Sequence, residues 1–179
     1  MRLRLLVVTF FTVFNSLGQE DSSYKLYLDS SKSHIDRLND LMSRMTLEDK
    51  VYQMNQFVGL DHMRKAEKDL SPEDLVNNDA QGFYKGVFSN DVMKMTQEGK
   101  IGSFLHVLTA EEGNLLQELA NESRLKIPIL IGIDAIHGNA LFNGATVYPS
   151  PITLASTWND DFLFDVGRQT ALEMRATGS

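Results

Sequence analysis

Apolar positions along the chain follow two periods, and the switches between them outline its elements. In "HIDRLNDLMSRM", Ile35, Leu38, Leu41, Met42 and Met45 recur at helical spacing. "TLEDKVYQMNQF" continues the stripe through Leu47, Val51 and Met54. Thr46, with Asp49 three residues later, resembles a capping box in which Asp replaces the usual Glu. The pattern predicts two helices, or one helix broken near Thr46. From Val58 to Asn90 the period weakens into charge, Gly and one Pro. This predicts an irregular insertion with short helices, one begun by "SPEDL" with Ser71 as cap and Pro72 at the first helical position. "SNDVMKMTQEGK" predicts a helix capped by Ser89 or Asn90 and ended at Gly99.

Beyond Gly99 the period alternates. "KIGSFLHV" reads as a strand. "TAEEGNLLQELANES" reads as an amphipathic helix with Leu115, Leu116, Leu119 and Ala120 on its apolar side, and "IPILIGID" as a second strand. A nearly continuous apolar strand predicts burial on both faces, as in a parallel sheet covered by helices, and the order predicts a βαβ unit. "GATVYPSPITLAS" predicts an extended piece, and "NDDFLFDVGRQTALEMRA" a helix capped by Asn159 or Asp160. Trp158, just before it, is expected to act as a hydrophobic staple. The fold class expected is α/β, the N-terminal portion of a (β/α)8 TIM-type barrel. A whole barrel takes roughly 250 residues, and about two βα units are legible here, so the barrel is expected to be incomplete at the C-terminus.

The stretch "ILIGIDAIHG" carries the chemistry. Alternate residues of a strand face opposite sides, so Ile129, Ile131 and Ile133 share one face and Leu130, Gly132 and Asp134 the other. In a barrel the isoleucines would meet the outer helices. Asp134 would then point inward at the C-terminal end of the strand, where barrel active sites lie. A carboxylate there needs donors, and sugar hydroxyls are good ones. Asp134 could instead cap the following turn or pair with a structural Arg. His137 is expected to hold the loop by hydrogen bonds, and His106 to be a satisfied residue on the rim. His34, His62 and His106 are scattered, and two ligands rarely make a site, so no metal and no cofactor are expected.

The N-terminus adds a destination. "MRLR" is basic, Leu5 to Phe14 is an apolar run of ten, and Ser16 and Gly18 are small. This predicts a signal peptide over residues 1–18, cleaved before Gln19, and a secreted or periplasmic protein. The run is too short to span a bilayer, which takes about 20 residues, so no membrane span is expected after cleavage. Residues 19–33 are expected to form a polar lead-in, and 34–179 the domain itself. Lys and Arg number 17 against 24 Asp and Glu, an acidic balance that argues against a nucleic-acid partner. Without cysteine there is no disulfide, thiolate ligand or cysteine nucleophile in these residues. Nucleophile-elbow, phosphate-loop and zinc-protease motifs are also missing.

Taken together, "MTLEDKVYQM", "GKIGSFLHV", "ESRLKIPILIGIDAIHG" and "GATVYPSPITLASTWNDD" resemble the N-terminal barrel domain of glycoside hydrolase family 3, in its exported β-glucosidase branch. The resemblance implies retaining hydrolysis of terminal β-D-glucosidic bonds, with a β-glucoside or oligosaccharide as substrate. Retention takes two carboxyl groups about 5–5.5 Å apart. The resemblance places the Asp nucleophile and the acid/base Glu beyond Ser179, so no catalytic residue is assigned here. Only Asp134, in the D-x-x-H-G motif, carries over, as a substrate-binding residue. The xylosidase-like branch tends to have Glu at that position. The alternative is a non-catalytic sugar-binding or remnant short chain that closes its sheet edges by oligomerising.

Overall fold

The structure, a computed structural model, describes residues 24–69, 84 and 86–178. The expected signal peptide, the lead-in up to Ser23 and the "SPEDL" helix with Ser71 and Pro72 lie outside them. The chain divides into two compact units, Met1–Met45 and Thr46–Ser179.

In the first unit a 3-10 turn at Leu26–Leu28 precedes helix α1, His34–Arg44. Ser33 caps α1 by accepting the Asp36 amide. Asp40 accepts the Tyr27 amide at 3.0 Å and the Arg44 Nε at 3.0 Å, while Arg37 Nε donates to the Tyr27 carbonyl at 2.9 Å. Polar contacts thus organise this unit, and Ile35, Leu38 and Met42 of the predicted apolar stripe are exposed.

The second unit opens with helix α2, Leu47–Tyr52. Of the two readings of this region, two separate helices is the correct one. Thr46 Oγ1 accepts the Asp49 amide at 3.1 Å and Asp49 returns the bond to the Thr46 amide at 2.7 Å, so the shorter acid closes a full capping box. That bond to the Thr46 amide is the main reason the Asp49 carboxyl titrates below its ordinary range; Arg124, which ion-pairs with it, adds to the effect.

Three short strands follow, β1 (Gln56–Val58), β2 (Ser103–Leu105) and β3 (Leu130–Gly132), parallel and in that order. Phe57, Phe104 and Ile131 stand in one register row. Neighbours in a row share a face, and here it is the covered one, since Phe57 and Phe104 are buried and Ile131 packs on the core. The covering helices are α3 (Leu60–Asp69), α4 (Ser89–Gln97) and α5 (Ala110–Glu122). They contribute Leu60, Met63, Val92, Leu116 and Ala120 to the core. Burying a side chain such as Leu116 or Phe104 stabilises by about 1.5–3 kcal/mol. Gln117 on α5 clips β3 in place, donating to the Ile129 carbonyl at 2.8 Å and accepting the Ile129 amide at 3.1 Å. The chain continues through α6 (Pro151–Ala155) and α7 (Asp160–Thr177), capped by Asn159.

Several expectations need correction. β1 lies in a stretch read as the tail of a helix, because a three-residue strand is too short to display a period of two, whereas α3 falls in the insertion where short helices were expected. The prediction that β3 is buried on both faces fails, since Leu130 is 75% exposed and the described helices cover one face only. Helix α4 is capped by neither Ser89 nor Asn90. Its cap is Phe88, whose amide donates to Asp91 Oδ2, and the Ser89 hydroxyl donates to Glu67 on α3. Pro151 starts a short helix where an extended piece was expected, because its fixed φ suits the first helical position. Trp158 is 93% exposed, which excludes a staple.

Two outcomes follow. A Cβ at Gly102 would sit 2.1 Å from the Gln53 carbonyl oxygen, a backbone atom that cannot step aside. Gly102→Ala is expected to lower unfolding free energy by about 1–3 kcal/mol or more in a urea titration. Glu112 is buried, and its carboxyl is pushed above its ordinary value of 4.5 by burial first and by the Asp61 charge second. The folded state therefore holds this proton more tightly than the unfolded one, and the group's contribution to stability falls as pH rises from 4.5 towards the raised value. Glu112→Gln is expected to remove that loss. The gain in melting temperature over the parent protein should grow from about pH 4 to about pH 8, and a gain that shrinks would contradict the assignment.

Candidate functional site

The parallel ladder runs one residue past the strands. Gly59 N–H donates to the Leu105 carbonyl and His106 N–H to the Gly132 carbonyl, each at 2.9 Å. Three chain segments therefore leave the sheet side by side at its C-terminal edge. Gly59 has to be glycine. A Cβ there would lie 2.6 Å from the His106 carbonyl oxygen and 3.0 Å from Glu112 Oε1. Glu112 in turn accepts the Asp61 amide at 3.3 Å, in the first turn of α3. That turn brings His62 to the edge, immediately beyond β1.

His106 follows β2 directly, with φ at +59°, a left-handed conformation that a side chain with a Cβ rarely takes. Its ring meets the His62 ring edge-on, centroids 6.2 Å apart and planes at 71°. Its Nε2 lies 3.3 Å from Asp134 Oδ2. Asp134 comes two residues after β3, and its side chain is 63% exposed against 21% for His106. Burial first, and the neighbouring His106 second, hold the His62 pKa below its ordinary value.

The loop after Asp134 is fastened at several points. His137 Nδ1 lies 2.9 Å from the Tyr148 carbonyl, and the Tyr148 amide donates to the His137 carbonyl at 2.9 Å. His137 thus holds the loop, as expected. Gly138, at φ +74°, packs so closely that a Cβ would meet the Thr146 carbonyl oxygen and the Tyr148 ring at 2.7 Å. Asn139 is fully buried and donates to Thr177 on α7 at 3.1 Å. Thr146 gives both its amide and its hydroxyl to Glu173, and these two bonds hold the Glu173 carboxyl below its ordinary range.

The result is an open carboxylate flanked by an imidazole, on a rim whose backbone is held on both sides. Such an arrangement can accept hydrogen bonds from a polyhydroxylated ligand. Among the described residues no group of three or more His, Asp or Glu is placed to hold a metal ion. The structure puts Asp134 just past the C-terminal end of β3. It corrects the reading of His106 as a satisfied residue, since its Nδ1 is buried with no hydrogen-bond partner. Sequence reading passed over His62, Gly59 and Glu112. One signal was present: "QFVGLDH", "SFLHV" and "LIGID" are each a short apolar run followed within a few residues by His or Asp.

Residues 46–179 match the family described as "Glycosyl hydrolase family 3 N terminal domain". The chain is similar to a periplasmic beta-glucosidase of Salmonella typhimurium, 27% identical over 143 residues that cover 79% of this chain and 15% of the relative. It is similar to a probable beta-glucosidase C of Aspergillus flavus, 31% identical over 123 residues, 69% of this chain and 18% of the relative. It is also similar to a beta-xylosidase of Formosa agariphila, 32% identical over 85 residues, 44% of this chain and 12% of the relative. The chain thus spans less than a fifth of the length of these relatives. With the family match extending from the α2 capping box to the last residue, the chain belongs to glycosyl hydrolase family 3.

Proposed function

We propose that this chain forms the first strands and helices of a (β/α)8 barrel in an exported retaining β-glucosidase. In this reading Asp134 binds hydroxyls of the terminal glucosyl residue at the bond to be cleaved. Family membership and the position of Asp134 together carry the reading. The three parallel strands in sequential order, covered by helices on one face, have the layout of consecutive barrel strands. Asp134 stands two residues past the third strand, at its C-terminal end, with an exposed carboxylate.

Hydrogen bonds from sugar hydroxyls to a carboxylate are worth roughly 1.5–3 kcal/mol each, and they can hold the ring in a distorted form on the way to the oxocarbenium-like transition state. The covalent chemistry needs two further carboxyl groups. By the family resemblance these are an Asp and a Glu encoded beyond Ser179, and no catalytic role falls to residues 1–179. Export rests on the basic and apolar start of the chain, read as a signal peptide over residues 1–18, with 19–33 as lead-in and 34–179 as barrel. A periplasmic relative supports it, and no described helix is long and apolar enough to cross a membrane.

The beta-xylosidase relative favours a second reading, a terminal β-xylosyl substrate. Asp rather than Glu at position 134 supports the glucosyl one. Reading the coding sequence past the Ser179 codon tests the proposal first. An open frame with further βα units is the expected result, and a stop codon there would turn the reading to a sugar-binding or remnant chain. In the protein so encoded, p-nitrophenyl β-glucoside should be hydrolysed faster than the β-xyloside. Asp134→Asn should lower kcat/KM for the glucoside by about 10- to 100-fold with the fold intact. Unchanged kinetics would remove Asp134 from the site. The purified 179-residue chain alone should show no turnover.

A further inference from the structure

The proposed sugar contact at Asp134 raises a physical difficulty. A carboxylate 63% exposed on a short loop rotates freely unless something holds it, and a freely rotating acceptor contributes little orientation. We infer that His106 is a positioning residue for Asp134: its Nε2–H holds one carboxylate oxygen, so that the other is presented to the ligand. The inference rests on the sugar-binding reading of Asp134.

Three observations support it. The first is the distance, 3.3 Å between His106 Nε2 and Asp134 Oδ2 across neighbouring strands. The second is how firmly His106 itself is held. Its backbone amide is bonded to the Gly132 carbonyl, its carbonyl is packed against Gly59, and its ring lies edge-on to His62. The third is its backbone. Left-handed φ at a residue with a Cβ is strained and persists only where surrounding contacts enforce it. The enforcing contacts here are the two backbone ones just named. A residue of extended conformation after β2 would send its side chain elsewhere. The ring's other nitrogen, Nδ1, is buried and unpartnered, which suits the tautomer that carries its proton on Nε2.

The test uses the full-length protein, p-nitrophenyl β-glucoside, and four variants: His106→Ala, His106→Gln, Asp134→Asn and the double variant His106→Ala with Asp134→Asn. His106→Ala is expected to lower kcat/KM about tenfold with little change in melting temperature. His106→Gln, which keeps an N–H donor of similar reach, should restore most of the loss. In the Asp134→Asn background, His106→Ala should cost less than about twofold, because the carboxylate it positions is gone. Should His106→Ala fold poorly, His106→Gly replaces it, since glycine takes the left-handed conformation without strain. Losses that multiply in the double variant, or a Gln variant as poor as Ala, would overturn the inference while leaving Asp134 in the site. Silence of Asp134→Asn itself would overturn the reading beneath it, and the inference with it.

Discussion

Two backbone hydrogen bonds, Gly59 to Leu105 and His106 to Gly132, extend the parallel ladder just beyond the last strand residues. The site depends on them. Each strand is three residues long, so the sheet alone provides few bonds to fix how its edge is arranged. The added pair keeps the departing segments in register at the point where their side chains diverge. Without it, His62, His106 and Asp134 would belong to three loops rather than to one rim. The close fit of Gly59 against the His106 carbonyl belongs to the same constraint, because the ladder can close there only if one partner has no side chain.

The site also shows how rigidity is divided. Covered apolar positions at Phe57, Phe104 and Leu116 anchor the sheet from one side. On the other side the loop from His137 to Tyr148 is held almost wholly by polar bonds, and Asn139, Thr146 and Glu173 tie it to α7. Asp134 lies between an apolar anchor and a polar one, and is itself left open. Burying that carboxylate without partners would be costly, so an exposed position with a fixed frame around it is the arrangement electrostatics favours.

Much of this was legible in the sequence, for reasons that differ by element. The capping box at Thr46 and the stop at Gly99 were readable because each depends on residues three or four positions apart. The place of Asp134 at a strand end was readable because the apolar run "ILIGI" stops there. His137 was readable as a loop fastener because nothing near it could complete a metal site. β1 was not, since three residues hold no period and the preceding helix pattern ran into it. His62 lay in the charged stretch after β1, marked only by its place two residues past the short apolar run "QFVGL". The strain at His106 and the approach of Gly59 to its carbonyl join residues 47 positions apart, and a linear pattern carries no trace of such a contact. Trp158 misled because a staple is inferred from position alone, whereas packing decides whether the indole finds a surface.

That same indole has a spectroscopic consequence. Trp158 is the single tryptophan of the chain and is 93% exposed. Its fluorescence in this structure is that of a solvated ring, close to what an unfolded chain would emit. Intrinsic tryptophan emission is therefore a poor reporter of whether the core around Phe104 is formed. It is a sensitive reporter of anything that covers the start of α7, since a blue shift and protection from a soluble quencher would both arise there and nowhere else in the chain.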